Sequence, residues 1–157
     1  LSHAAVFEEV GFRFIPIGAL LTVSLLITKK KEAAVSLGQK IKLSFVAFLL
    51  PDRAKKMAGA KTVSEHGILS GISLGEWGML IFTSLVFGFA HFNPGVSWEL
   101  GKVTSAGVAG FVIGLSYLVY GAHASILMHW FFNVYADTFF LLSETVPAGS
   151  KSLSATA

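Results

Sequence analysis

The chain has no cysteine, and few of its side chains carry charge. Without cysteine there is no disulfide, no thiolate nucleophile and no cysteine-ligated metal. Only 13% of the residues are charged, whereas 54% are hydrophobic, and soluble domains carry roughly twice that share of charge. A chain so poor in charge cannot cover a water-facing surface with polar groups. We therefore predict an integral membrane protein surrounded by the lipid bilayer.

The sequence also begins without an initial methionine and without a recognisable signal peptide. The chain starts at Leu1 rather than at methionine, and no basic stretch with a small-residue cleavage site precedes Val6. We therefore expect a fragment of a longer protein. The sequence has no internal repeats.

Four apolar segments have the length of membrane helices or approach it. They cover residues 6–28, 77–92, 103–120 and 122–142. Crossing a hydrocarbon core takes about 20 residues, so the pattern predicts an all-α helical bundle with about four transmembrane helices in a core of residues 1–142. Pro16 predicts a kink in the first helix, and Gly110 and Gly114 have the spacing that lets two membrane helices approach closely. Residues 143–157 are expected to form a polar, disordered tail.

Segment 28–76, between the first and second apolar segments, is basic. Nine of the twelve lysine and arginine residues lie in it: Lys29, Lys30, Lys31, Lys40, Lys42, Arg53, Lys55, Lys56 and Lys61. The positive-inside rule predicts that this loop, from Lys29 to Lys61, is cytoplasmic. Within it, residues 36–51 have lysines first and large apolar residues after them, which predicts an interfacial or half-inserted helix. The loop accounts for the net charge of +3, so no nucleic-acid partner is indicated.

Two glutamates and an arginine stand inside the first apolar segment, in the stretch VFEEVGFRF. An ionisable side chain at membrane depth costs about 2.5–3.5 kcal/mol, so each one needs a partner or a function. Glu9 and Arg13 are four residues apart, which predicts an ion pair on one face of the helix. Glu8 lies about 100° away around the helix and has no local partner. It is therefore a candidate general base.

The later segments supply histidines and an amide. His91 stands one helical turn after Phe87, and a lone histidine in such a place is more often structural than catalytic. In the fourth segment a polar residue recurs every four positions: Ser125, His129, Asn133 and Asp137. Such a stripe must face the bundle interior or water.

Not every residue of the stripe needs a catalytic role. Hydrogen bonding between helices is the simpler explanation for Ser125 and Asp137. The remaining polar residues at membrane depth offer one base, two imidazoles and one amide donor, a set that can activate water and stabilise an oxyanion. We expect them to converge on one polar cavity: Glu8, His91, His129 and Asn133.

Three short motifs follow one another on separate apolar segments: Glu8-Glu9-xxx-Arg13, Phe87-xxx-His91 and His129-xxx-Asn133. In this order they resemble the motifs of the CAAX protease and bacteriocin-processing family, also called the Abi family, whose eukaryotic members are the type II CAAX prenyl endopeptidases. The stretches LVFGFAHFNPG and GAHASILMHWFFN are similar to prokaryotic members, so we expect a prokaryotic cell membrane. The basic loop is longer than in a compact bacterial member, and the helices that usually precede the first motif are absent.

The resemblance implies intramembrane endoproteolysis of a membrane-associated protein or peptide, which is prenylated in one branch of the family. It assigns water activation to Glu8 and His91 and the binding of the developing oxyanion to His129 and Asn133. Glu9 and Arg13 then support the first helix. No cofactor is required by this chemistry.

Three other interpretations use the same residues. Two histidines and a carboxylate could hold zinc with an open position for water, which would make a zinc-dependent membrane protease. The sequence has no HExxH, and asparagine is an uncommon zinc ligand, so metal-free water activation is favoured. Buried glutamates and histidines also form proton relays in transporters. A non-catalytic membrane scaffold is the third alternative.

Overall fold

The computed structural model describes residues 2–30, 36–94 and 99–145. All regular secondary structure in these ranges is helical, which confirms the predicted all-α class. The helices are α1 (Ser2–Glu9), α2 (Ile15–Lys30), α3 (Leu37–Leu49), α4 (Pro51–Ala58), α5 (Val63–Gly71), α6 (Leu74–Ala90), α7 (Glu99–Tyr120) and α8 (Ala122–Thr145), with a π-helical turn at Val10–Phe14 between α1 and α2.

The first long helix runs through α1, the π turn and α2 without a break. Pro16 has no N–H for the carbonyl four residues before it, and its ring crowds that carbonyl. The chain accommodates the proline with the wide turn just ahead of it, where the Ile15 N–H donates to the Val10 carbonyl five residues back. A π-helical turn therefore stands where the sequence predicted a kink.

By length and composition, fewer helices qualify as membrane spans than the four that the sequence predicted. Two described helices are long and apolar enough, His3–Thr28 and Leu100–Tyr120. A third is reached if α5 and α6, which are bent by 69° at their junction, are counted as one broken span. Helix α6 alone has 17 residues, and α8 carries the polar stripe, which makes its 24 residues less apolar.

Two predicted boundaries differ from those of the structure. Helix α6 begins before Trp77, because Ser73 and Glu76 form a capping box that satisfies the first N–H groups. It ends at Ala90, and His91 is the residue that caps its C-terminus. Helix α8 continues through Thr145, so the first three residues of the predicted tail are helical. Residues 146–157 of that tail lie outside the described residues.

The basic loop folds into three helices rather than one. A capping box at Ser36 starts α3, Pro51 occupies the first turn of α4, and Gly59 ends α4 in the left-handed conformation. Helix α3 buries one face against α2 and exposes a stripe of large apolar residues on the other: Leu37, Ile41 and Phe45. These two faces support the prediction of an interfacial helix, which stays a prediction.

Helices α6 and α7 cross at close range. A Cβ atom on Gly88 would lie 2.7 Å from the Val103 carbonyl oxygen and 3.1 Å from the Gly107 Cα. Gly110 and Gly114, in contrast, leave room for side chains of neighbouring helices: Arg13, Leu80 and Phe87. The small-residue spacing seen in the sequence therefore makes space for Arg13, whereas the close approach of backbones occurs at Gly88 and Gly107.

Gly88→Ala is expected to destabilise the protein by about 1–3 kcal/mol, because the added methyl group meets backbone atoms that cannot rotate away. Gly78→Ala is the matched control in the same helix, since a Cβ atom there meets nothing within 4 Å. It should stabilise α6 by about 0.5–1 kcal/mol through the lower chain entropy of alanine. Thermal unfolding in detergent compares the two variants, and equal melting temperatures would contradict the crossing.

Candidate active site

Glu9 and Arg13 form the ion pair that their spacing predicted. Arg13 Nη1 donates to Glu9 Oε1 at 2.9 Å, and both side chains are fully buried. Arg13 Nη2 also donates to the Gly110 carbonyl at 3.0 Å, which ties the first long helix to α7. The guanidinium lies 4.3 Å from the centre of the Phe87 ring, a cation–π contact with α6. One arginine thus joins three elements at the centre of the bundle.

His129 completes this cluster from α8, a partner that the sequence did not reveal. Its Nδ1 lies 2.8 Å from Glu9 Oε1, the same oxygen that binds Arg13. A carboxylate oxygen accepts hydrogen bonds, so Nδ1 carries the proton and donates it to this bond. The neutral imidazole therefore has its lone pair on Nε2. Glu9 fixes both the orientation and the tautomer of His129.

Glu8 lies on the other side of the His129 ring. Its Oε2 is 3.4 Å from His129 Nε2, within ion-pair distance, although the geometry does not make a hydrogen bond. The same Oε2 is buried without a hydrogen-bond partner, while the Glu8 side chain as a whole is 32% exposed. A buried carboxylate oxygen without a donor calls for a water molecule or a ligand. Glu8 makes no hydrogen bond with Arg13, whereas Glu9 does; Glu9 Oε2 is also buried without a hydrogen-bond partner.

His91 reaches the same region from the end of α6. Its Nδ1 lies 2.8 Å from the Phe87 carbonyl oxygen, so this nitrogen donates and Nε2 is again the unprotonated atom of the neutral ring. The Phe87 ring lies 4.5 Å from the His91 ring and 5.5 Å from the His129 ring, measured between centroids. His91 and His129 therefore both contact the Phe87 ring.

Phe87 is the residue at the centre of the candidate site. Besides the two imidazoles and Arg13, its buried ring packs edge-on against Phe12 at 5.2 Å. The sequence marked Phe87 as a motif position, but its role was not assigned. Only the tertiary structure shows that one ring touches all of these groups.

The remaining residues of the polar stripe differ from one another. Asn133 is half-buried one turn after His129, and it makes no hydrogen bond with any residue in the described ranges. Ser125 is fully buried and donates to the Ala122 carbonyl within its own helix, so the predicted bond between helices is replaced by a local one. The side chain of Asp137 lies outside the described residues.

No group of three or more metal-ligating residues is close enough to hold a metal ion within residues 2–30, 36–94 and 99–145. Glu9 is engaged by Arg13 and His129. A zinc ion would have to be held by Glu8 and the two histidines, which share the neighbourhood but do not form a preorganised set of ligands.

The sequence also contains GISLG, residues 71–75, which matches the GxSxG pattern of serine hydrolases. In those enzymes the serine stands on a strand-to-helix turn beside its histidine. Here Ser73 is the N-cap of α6, and its hydroxyl accepts a hydrogen bond from the Glu76 N–H at 3.3 Å. It lies at the end of α6 opposite His91. Helix capping explains this serine.

The family model named Rce1-like matches residues 2–135, and its description is 'Type II CAAX prenyl endopeptidase Rce1-like'. This range holds all three motifs, from Glu8 to Asn133. No curated protein and no solved structure matched the chain.

Proposed function

Because the chain belongs to the Rce1-like family of type II CAAX prenyl endopeptidases, we propose that it is an intramembrane endopeptidase that hydrolyses a peptide bond of a membrane-associated protein or peptide. The family is one of CAAX-type membrane proteases, and the helices are apolar enough for a bilayer.

The observation that carries the proposal is the pairing of Glu8 with His129. A carboxylate with a buried, unsatisfied oxygen faces an imidazole at 3.4 Å, and the second imidazole, His91, contacts the same Phe87 ring as His129. Glu8 accepts a proton from the attacking water, while His91 accepts a hydrogen bond from the same water. The resulting hydroxide adds to the peptide carbonyl carbon. This is a general-base hydrolysis that forms no covalent enzyme intermediate.

The carbonyl oxygen then becomes an oxyanion, which needs hydrogen-bond donors. When His129 holds a proton on each nitrogen, its Nε2–H donates to the oxyanion while Nδ1–H stays bound to Glu9. The Asn133 amide is the second donor, consistent with its lack of any other partner among the described residues. Collapse of the intermediate breaks the C–N bond, and the leaving amine takes the proton that Glu8 had accepted.

In this scheme Glu9 and Arg13 act through His129. Glu9 stabilises the charged imidazolium, as a buried carboxylate partner does in other acid–base sites, and Arg13 compensates the charge of Glu9. The pair therefore has a second task beyond supporting the first helix, namely to position the imidazole that binds the oxyanion.

Cleavage of a fluorogenic, lipid-anchored peptide by the purified protein in detergent or liposomes tests the proposal. Two new peptide termini at a defined bond are expected, identified by mass spectrometry. A transporter or a scaffold would leave the peptide intact. Transport of protons also requires a polar path across the bilayer, whereas buried apolar residues such as Ile17, Leu80 and Leu118 fill the bundle beside the site.

Activity is expected to survive strong chelators, because the proposed water activation uses a carboxylate and an imidazole without a metal. The rate of cleavage in excess EDTA and in 1,10-phenanthroline should equal the rate in buffer. Loss of cleavage in chelator, with recovery when zinc is added, would instead support the zinc-dependent alternative.

A further inference from the structure

The first long helix buries one residue in every four along its length. Residues at this spacing are buried on α1, on the π-helical turn and on α2: Ala5, Glu9, Arg13, Ile17, Leu21 and Leu25. Exposed apolar residues follow the same spacing on the other side, among them Phe7, Ile15 and Ile27. One face of this helix therefore stays against the bundle from one end to the other.

A regular α-helix cannot keep a four-residue spacing on one face. Each residue turns the helix by about 100°, so four residues overshoot a full turn by about 40°. From Ala5 to Leu25 this drift would add up to about 200°, which is more than half of the circumference. The π-helical turn at Val10–Phe14 reduces the drift, because a turn closed by a bond between residues five apart holds one extra residue and takes back about 100°.

The π-helical turn lies between the two glutamates and the rest of the helix. A regular α-helix would place Glu9 about 80° from Ile17, whereas the extra residue brings them within about 20° of each other. Glu8 would stand about 180° from Ile17, facing away from the bundle, but with the turn it stands about 80° away. The burial agrees with the corrected angles, since Glu9 is fully buried while Glu8 is 32% exposed and reaches His129 at 3.4 Å.

Pro16 is the residue that favours the π-helical turn. Inside a regular α-helix its ring would collide with the Phe12 carbonyl, and it has no N–H to donate. The wide turn stands directly before it, where the Ile15 N–H donates to the Val10 carbonyl. Pro16 makes no hydrogen bond with the groups of the candidate site, so any influence on them passes through the angle of the helix.

We propose that Pro16 is a positioning residue for the candidate site: by selecting the π-helical turn, it sets the angle at which Glu8 and Glu9 meet the two ring nitrogens of His129. The geometry rests on helical periodicity and burial, and its consequence for catalysis rests on the proposed peptidase function. Helix α2 is held in the apolar core by Ile17 and in a second cluster by Leu21 and Leu25. Loss of the turn would therefore rotate the shorter α1, and Glu8 with it, away from His129.

Pro16→Ala removes the obstacle to a regular α-helix, because alanine has an N–H and strongly favours the α conformation. We expect kcat to fall about 10²-fold, the usual effect of displacing reacting groups by about 1 Å, with a smaller change in KM. Pro51→Ala is the matched control. Pro51 occupies the first turn of α4, where an N–H has no partner within the helix, so its replacement should leave kcat unchanged.

Deletion of Gly11 in the Pro16→Ala protein tests the angle itself. It removes one residue between Glu9 and Ile17, so that a regular α-helix again brings these two side chains within about 20° of each other. Gly11 is exposed, and a Cβ atom there meets nothing within 4 Å, so the deletion removes no packed side chain. The combined variant is expected to recover at least about tenfold of the lost kcat.

NMR signals of the His129 ring nitrogens, assigned by their loss in the His129→Gln variant, report the geometry without substrate. A protonated Nδ1 and an unprotonated Nε2 are expected in the unsubstituted protein, where Nδ1 lies 2.8 Å from Glu9, and again in the combined variant. Pro16→Ala should show a mixture of the two tautomers, because the bond to Glu9 no longer selects one.

Unchanged His129 signals in the Pro16→Ala protein overturn the proposal, whatever the rate of cleavage. So does a combined variant that is no more active than Pro16→Ala, or that does not fold, because the restored angle is expected to return the whole buried face to the bundle. If the unsubstituted protein cleaves no peptide, the peptidase function is refuted, while the His129 signals still decide whether Pro16 positions the two glutamates.

Discussion

Glu8→Gln is expected to reduce the rate of peptide cleavage by about 10²- to 10⁴-fold, the usual contribution of a general base. Glutamine keeps the size and polarity of the side chain but cannot accept the proton of the attacking water. The fold should be little changed, because Glu8 makes no hydrogen bond with Arg13 and its side chain is partly exposed. Cleavage rate and thermal stability, measured on the same detergent preparation, check both halves of this expectation.

Glu65→Gln is the matched control for the loss of a carboxylate. Glu65 is exposed on α5 and pairs with Lys56 at 2.8 Å, and the hydrogen bond from Lys56 lowers the pKa of Glu65. Exposed pairs of this kind contribute little to stability, so both cleavage and melting temperature should stay close to those of the unsubstituted protein.

An active Glu8→Gln protein beside a folded but inactive Glu9→Gln protein would mean that the roles of the two acids are exchanged.

Glu9→Gln is expected to destabilise the protein by about 3–5 kcal/mol, because it leaves the Arg13 charge buried without its counter-charge. Arg13→Met should cost a similar amount for the converse reason, and it also removes the donor to the Gly110 carbonyl. The double substitution should destabilise less than the sum of the single ones, as expected of a coupled pair. Thermal or denaturant unfolding of the four proteins in detergent completes the cycle.

Additive effects in this cycle would contradict the coupling. The cycle also separates structure from catalysis, because His129 shares Glu9 Oε1 with Arg13. If Glu9 positions His129, then Glu9→Gln at a temperature where the protein is folded should lower kcat more than it raises KM. A variant that loses stability alone, with unchanged kcat, would restrict Glu9 to the support of the first helix.

Much of the architecture follows from patterns local in the sequence. The shortage of charge and the apolar runs indicate a helical membrane protein. The four-residue spacing of Glu9 and Arg13 is a property of one helix, so it predicts their ion pair without knowledge of the rest of the chain. The stripe from Ser125 to Asp137 likewise depends on helical periodicity alone. The three motifs indicated the family because their residues and their order on separate apolar segments can be read directly from the sequence.

The folding of the basic loop was less predictable. One helix was expected in it, whereas α3, α4 and α5 are present. The chain turns at Pro51 and at Gly59, and α4 is held by the buried bond between Lys55 and Glu76, residues 21 apart in sequence. The hydrophobicity pattern did not predict α4, because this helix is charged on one side and contains no long apolar run. Tertiary contacts stabilise it instead.

The sequence by itself determined the helical class, the membrane setting, the family motifs and the pairing of Glu9 with Arg13, since each of these depends on composition or on neighbours within one helix. The tertiary structure alone decided that His129, 120 residues from Glu9, shares its carboxylate oxygen, that Gly110 makes space for Arg13, and that Phe87 touches both imidazoles. Contacts of this kind depend on which helix faces are pressed together. Packing of the whole bundle fixes those faces, and no periodicity within a single segment specifies them.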